Sequence, residues 1–157
     1  MMNTQSIIEE DEVIIGQAQI WRYLYAAFDA MAIRCCVELR IADIISNQNR
    51  PTLLSEIAAQ IDSSSINVDG LGRLMKFLVH KKVFNQTEEE GQILYAMNNC
   101  SKWLLSDTNL MTLAPFVMMC TNPLLVSPLH ILSRSIKEGG TTFRMTHGEK
   151  CYCCVAN

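Results

Sequence analysis

With 157 residues, 49% of them apolar and 18% charged, the chain is long enough for one ordinary core and too apolar to be disordered. A net charge of −3 offers no general attraction to nucleic acid or anionic lipid. Glu9, Glu10, Asp11 and Glu12 precede the first basic residue, Arg22, which argues against a signal or transit peptide. No run approaches about 18 uninterrupted apolar residues, so a cytoplasmic setting with reduced cysteines is expected.

Residues 1–13 read as an acidic tail. From about residue 12 to 40 there is no proline, and the single glycine, Gly16, lies near the start. Ile14, Ala18, Trp21, Tyr25, Phe28, Ala32, Cys35 and Leu39 recur in steps of four and three, the spacing of one helical stripe. Ile20, Leu24, Ala27 and Met31 form a second row beside it. A helix this apolar needs cover on more than one side, either wrapped centrally by its own domain or covered in part by a second subunit. Asp29 interrupts the apolar run and reads as solvated or paired, with Arg22 and Arg34 in reach.

Next comes LLSEIAAQI (53–61), a short amphipathic helix with Leu54, Ile57, Ala58 and Ile61 on one face. After the polar turn DSSSINVDG, the stretch LGRLMKFLVHKKVF repeats the helical period through Leu71, Leu74, Met75 and Leu78. VFNQTEEEGQILYAM then reads as two strands, Val83–Asn85 and Gln92–Ala96, around an acidic turn. The predicted fold is therefore mainly α, a winged-helix-like domain over 14–110 with a small two-stranded β wing. Charge argues against DNA as its ligand. Between Arg50 and Glu90, Arg50, Arg73, Lys76, Lys81 and Lys82 face Glu56, Asp62, Asp69, Glu88, Glu89 and Glu90, and the wing tip holds three glutamates.

Residues 111–148 read as a helix, a break and another helix. Asn122 is a predicted N-cap, Pro123 the first helical residue, and Gly139 a stop. The last nine residues, 149–157, carry Cys151, Cys153 and Cys154 close to His147. Their spacing fits no standard zinc pattern, and adjacent cysteines rarely chelate one ion comfortably, so neither a metal site nor a disulfide is expected.

WRYLYAAFDAMAIRCCVELRIADII, LLSEIAAQI, GLGRLMKFLVHKKVF and LYAMNNCSKWLL occur in this order. Together they resemble the N-terminal half of plant small-molecule O-methyltransferases, with LVHKK and SKWLL looking most like the branch acting on benzylisoquinoline alkaloids. The resemblance spans about Gly16 to Gly148. It implies a homodimer, or a heterodimer with a full-length relative, built on a helical dimerisation domain through Trp21, Tyr25, Phe28, Met31, Ala32 and Cys35. It also implies that Phe116, Met119, Cys120 and Leu125 face a phenolic substrate, apolar and adaptable contacts that suit an aromatic ring. Two positions depart from the family pattern: Leu129 stands where tryptophan is usual, and Arg40 stands where glycine usually ends the long helix.

Family members transfer a methyl group from S-adenosylmethionine to a phenolic hydroxyl. The cofactor-binding unit would need a strand, a glycine-rich turn and a helix. Here the paired glycines, Gly139 and Gly140, follow a helix, and His80, His130 and His147 lie outside any predicted catalytic setting. The expectation is a truncated O-methyltransferase with no Rossmann-like domain, no catalytic residue and no cofactor site of its own. Its resemblance stops at Gly148, as though the tail were read past a splice or frame break. A winged-helix DNA binder and a non-catalytic phenolic-binding protein are the alternatives.

Overall fold

A computed structural model of the chain describes residues 4–106 and 111–148, with side chains from residue 11 onward. Helix α1 runs over Thr4–Glu38. It begins inside the segment read as an acidic tail, because no proline or second glycine interrupts the helix from there to Glu38. At a rise of about 1.5 Å per residue its 35 residues extend roughly 52 Å.

Arg40 ends that run. Its φ of 53° lies in the left-handed region, and its amide donates to the Val37 carbonyl at 3.0 Å. The chain thereby reverses into α2 (Ile41–Gln48), whose Ile41, Ala42, Ile44 and Ile45 are buried. A left-handed residue with a Cβ costs about 1 kcal/mol relative to glycine. The Arg40 side chain recovers little of this, since it is exposed and meets Asp43 only at 3.6 Å. Arg40→Gly is therefore expected to stabilise the chain by about 1 kcal/mol, raising the midpoint by roughly 2–4 °C in a thermal melt. A lowered midpoint would show that the arginine has a structural task beyond the turn.

The pair Thr52–Leu53 forms β1, and α3 (Leu54–Gln60) follows directly. Its start is fixed by Glu56, which accepts from the Leu53 amide at 2.9 Å while the Arg50 guanidinium holds the same carboxylate. The hydrogen bond from Arg50, and after it the one from the Leu53 amide, hold the Glu56 carboxyl below its ordinary range. Helix α4 spans Val68–His80 and is capped by Asn67, whose side chain accepts from the Gly70 amide at 2.9 Å.

Strands β2 (Asn85–Glu89) and β3 (Gln92–Ala96) form a hairpin closed by Glu90 and Gly91, with φ of 50° and 75°. Two positive φ values in a two-residue loop are the geometry of a type I′ turn, which suits the right-handed twist of the flanking strands. The register Asn85↔Ala96 through Glu89↔Gln92 takes Glu88 and Glu89 into the ladder. The predicted strand Val83–Asn85 was thus placed too early: Val83 and Phe84 precede the strand and are buried in the core. The sheet also has three strands, not two, in the antiparallel order β1-β3-β2, with Thr52 opposite Tyr95. Two residues are too few to display the alternation by which a strand is recognised in sequence.

The core joins the inner end of α1 to α2, α3, α4 and β3 through Cys36, Ile41, Ile45, Ile57, Met75, Leu78, Phe84 and Tyr95. Each fully buried side chain of this size contributes about 1.5–3 kcal/mol. The row of α1 that enters the core is Ala32, Ile33, Cys36 and Val37, displaced by about one residue from the predicted stripe.

Beyond a short 3-10 turn at Ser101–Leu104, helices α5 (Ala114–Cys120), α6 (Pro123–Val126), α7 (Leu132–Glu138) and α8 (Thr142–His147), with a second 3-10 segment at Ser127–Ile131 between α6 and α7, complete the described chain. Asn122 caps α6 as predicted, accepting from the Leu124 amide at 2.9 Å, and Gly139, with φ of 79°, ends α7. No single helix among the described residues is long and apolar enough to cross a membrane; α5 with residues 123–138 passes only as a pair bent by 48°.

Candidate functional site

Every residue of α1 from 11 to 28 is exposed. The outer half of the helix therefore carries its apolar rows clear of the body. Trp21, Tyr25, Phe28 and Met31, four of the six residues expected at a dimer contact, lie on this uncovered surface. Trp21 stacks on Tyr25 with ring centroids 5.6 Å apart, and Tyr25 meets Phe28 at 6.2 Å, so three rings form a continuous ridge. Ala32 and Cys35, the other two, sit further in and are half-buried, Ala32 against the chain's own core.

Burial shapes the chemistry of the adjacent thiols. Cys36 is enclosed in the core and its thiol is pushed up to about 12, chiefly by loss of solvent. Cys35 is raised by burial and then by the neighbouring Glu38. Both are held as small apolar packing groups rather than nucleophiles.

Asp29 leaves the apolar face and pairs with Lys81, whose Nζ lies 2.8 Å and 2.9 Å from the two carboxylate oxygens. Neither Arg22 nor Arg34 is its partner. Arg34 instead donates through Nε and Nη2 to Glu38 at 2.8 Å and 2.7 Å. Its Nη1 reaches the Thr121 hydroxyl at 3.2 Å and the Met118 carbonyl at 3.5 Å. This link between α1 and α5 was not legible in the sequence, since its partners lie 84 and 87 residues away.

The predicted substrate-facing residues divide into two groups. Phe116, Met119 and Cys120 occupy positions i, i+3 and i+4 of α5 and are all exposed. Leu125 lies in α6 and is half-buried. A nearby apolar groove of about 740 Å³ is lined by Met97, Trp103, Leu105 and Met111, with Ser46, Asn99 and Lys102 at its edge. None of the four predicted residues lines it. The SKWLL motif was the available signal for that groove, because it places a large aromatic on a short turn.

Arg73, Lys76 and His80 stand exposed on α4, while Glu88, Glu89 and Glu90 stand exposed at the hairpin tip. Gly139 and Gly140 connect two helices, so the described residues form no strand–glycine-turn–helix cradle. Among the described residues no group of three or more His, Cys, Asp or Glu side chains could hold a metal ion. His147 is engaged with the Leu124 carbonyl at 2.8 Å, and Cys151, Cys153 and Cys154 lie outside the described residues.

The (R,S)-reticuline 7-O-methyltransferase of Papaver somniferum is 41% identical over 144 residues, covering 88% of this chain and 40% of that protein. The desmethylxanthohumol 6'-O-methyltransferase of Humulus lupulus is 39% identical over 145 residues, covering 87% of this chain and 41% of that protein. The chain thus spans about two fifths of the length of the curated relatives it matches. Among solved structures, mitomycin 7-O-methyltransferase has the same fold at a TM-score of 0.74 and 21% identity, over 94% of this chain and 41% of that one. Human N-acetylserotonin methyltransferase matches at 0.70 and 16% identity, over 89% of this chain and 40% of that one. The model of the O-methyltransferase dimerisation domain matches residues 21–107, which hold the aromatic ridge and, apart from Ala114, the buried core; the chain belongs to this family.

Proposed function

We propose that this chain is the dimerisation and substrate-lining part of a plant O-methyltransferase whose acceptor is a phenolic hydroxyl of an alkaloid or phenylpropanoid. The methyl donor in such a reaction is S-adenosylmethionine, the ligand named for one structural neighbour. The observation that carries this reading is the uncovered aromatic ridge of α1 within a matched dimerisation domain. A second copy, or the equivalent helix of a full-length relative, covers the ridge. The helix–strand–helix–helix–strand–strand order of residues 41–96 is used as a winged helix for packing. Its hairpin tip is acidic where a phosphate contact would need cations.

Supporting residues for the substrate side are Phe116, Met119 and Cys120 on α5 and Leu125 on α6, an apolar wall that would need a further surface to enclose a ring. The described residues offer no fit for the methyl donor, and no chemical step is assigned to them. Residues 14–110 serve association, 111–148 form the wall, and the chain alone transfers no methyl group.

Co-expression with a full-length O-methyltransferase of this family tests the reading. The two chains are expected to co-purify, while the chain by itself sediments as a dimer and gives no methylated product from S-adenosylmethionine and a phenolic alkaloid. A chain that stays monomeric and does not co-purify would reject it. If that monomer bound the alkaloid, the groove at Trp103 would favour a non-catalytic phenolic-binding protein instead.

A further inference from the structure

We infer that Arg34 is a positioning residue that grips the C-terminal end of α5 and fixes the attitude of the proposed substrate wall against the dimer helix. This rests on the reading of α5 as that wall. Helix α5 has seven residues, too few to hold itself helical in water, so its placement depends on groups outside it. Its N-terminal side is tied by Thr112, whose hydroxyl accepts from the Ala114 amide at 3.1 Å and donates to the Leu105 carbonyl at 2.6 Å.

The C-terminal side presents carbonyls that lack partners within the helix. Arg34 answers one of them, donating from Nη1 to the Met118 carbonyl at 3.5 Å and to the Thr121 hydroxyl at 3.2 Å. Thr121 is buried and its hydroxyl donates to the Val117 carbonyl at 2.6 Å, so the contact reaches one residue further into the helix. A cation is also favoured at this end by the helix dipole.

The guanidinium fork is what makes the grip directional. Nε and Nη2 are held by Glu38 one turn along α1, which leaves Nη1 aimed at α5. Glu38 and α5 are thereby bridged by one planar group, and a lysine ammonium, a single point charge on a flexible stem, cannot span both with fixed geometry. Because Phe116, Met119 and Cys120 flank the gripped carbonyls, the rotation of their face follows from the position of Arg34.

Hydrogen exchange on the full chain tests this. In Arg34→Met, which keeps the apolar stem, peptides covering residues 114–122 should exchange roughly tenfold faster or more, while those covering residues 68–80 keep the parental rate. Thr121→Val should loosen the same peptides, and the double variant should be no faster than Arg34→Met alone. Arg34→Lys should behave like Arg34→Met. Parental exchange in Arg34→Met, or parental protection restored by Arg34→Lys, would overturn the inference. If Arg34→Met loosens α5 but the unsubstituted chain, alone or paired with a full-length relative, takes up no phenolic alkaloid, the grip stands and the wall reading falls.

Discussion

Phe28→Glu is expected to dissociate the self-associated chain, weakening association by about a hundredfold or more in sedimentation equilibrium. Phe28 is 66% exposed and ends the ridge begun by Trp21 and Tyr25, so its ring has little to hold within its own chain. Buried aromatic anchors at interfaces typically contribute about 2–4 kcal/mol, and a carboxylate in their place adds the cost of desolvating a charge. The body should be left intact, because the core takes its share of α1 from Ala32, Ile33, Cys36 and Val37. A urea transition of the monomer unchanged in slope would confirm that only association was lost. If the variant remained as tightly paired as its parent, the ridge could not be the dimer contact.

Asp43→Ala should cost about 2–3 kcal/mol in urea unfolding, whereas Asp43→Asn should cost less than about half of that. Asp43 is a buried acid on α2. Its Oδ1 accepts from the Ser106 amide at 2.9 Å and its Oδ2 from the Ser106 hydroxyl at 3.0 Å. Alanine leaves a part-buried amide with no acceptor, the costly half of a broken hydrogen bond. Asparagine keeps an acceptor for that amide and offers its own N–H to the hydroxyl oxygen. Equal losses in the two variants would mean that the negative charge, through Arg40, matters more than the hydrogen-bond pattern.

Sequence and structure agree most closely where one local rule decides. The absence of helix breakers gave α1, Asn122 before Pro123 gave a cap, and Gly139 gave a stop. Disagreement arises where two rules compete. Three glutamates look like a turn by polarity, yet Gly91 permits a two-residue hairpin, and its register draws Glu88 and Glu89 into the strand. Similarly, the spacing gives one stripe on α1 unbroken from Ile14 to Leu39, but the helix faces two different environments. Its outer part, residues 11–28, is exposed on every face, and its inner part turns Cys36 and Val37 into the core. Arg40 was visible only through the resemblance, which marked glycine as the usual residue at a position that proves left-handed. At the candidate site, the exposure of the aromatic ridge follows from the excess of apolar rows over one core. The partners of Arg34 and Asp29 do not, since each is set by how distant helices meet.

The uncovered half of α1 has a consequence for the molecule in dilute solution. A lone helical segment of that length is only marginally stable in water, and residues 11–28 are exposed along their whole length. Helix formation there and pairing are then two faces of a single equilibrium. The far-ultraviolet ellipticity of the chain should fall as it is diluted through its dissociation range, so the protein's secondary structure becomes a function of its abundance.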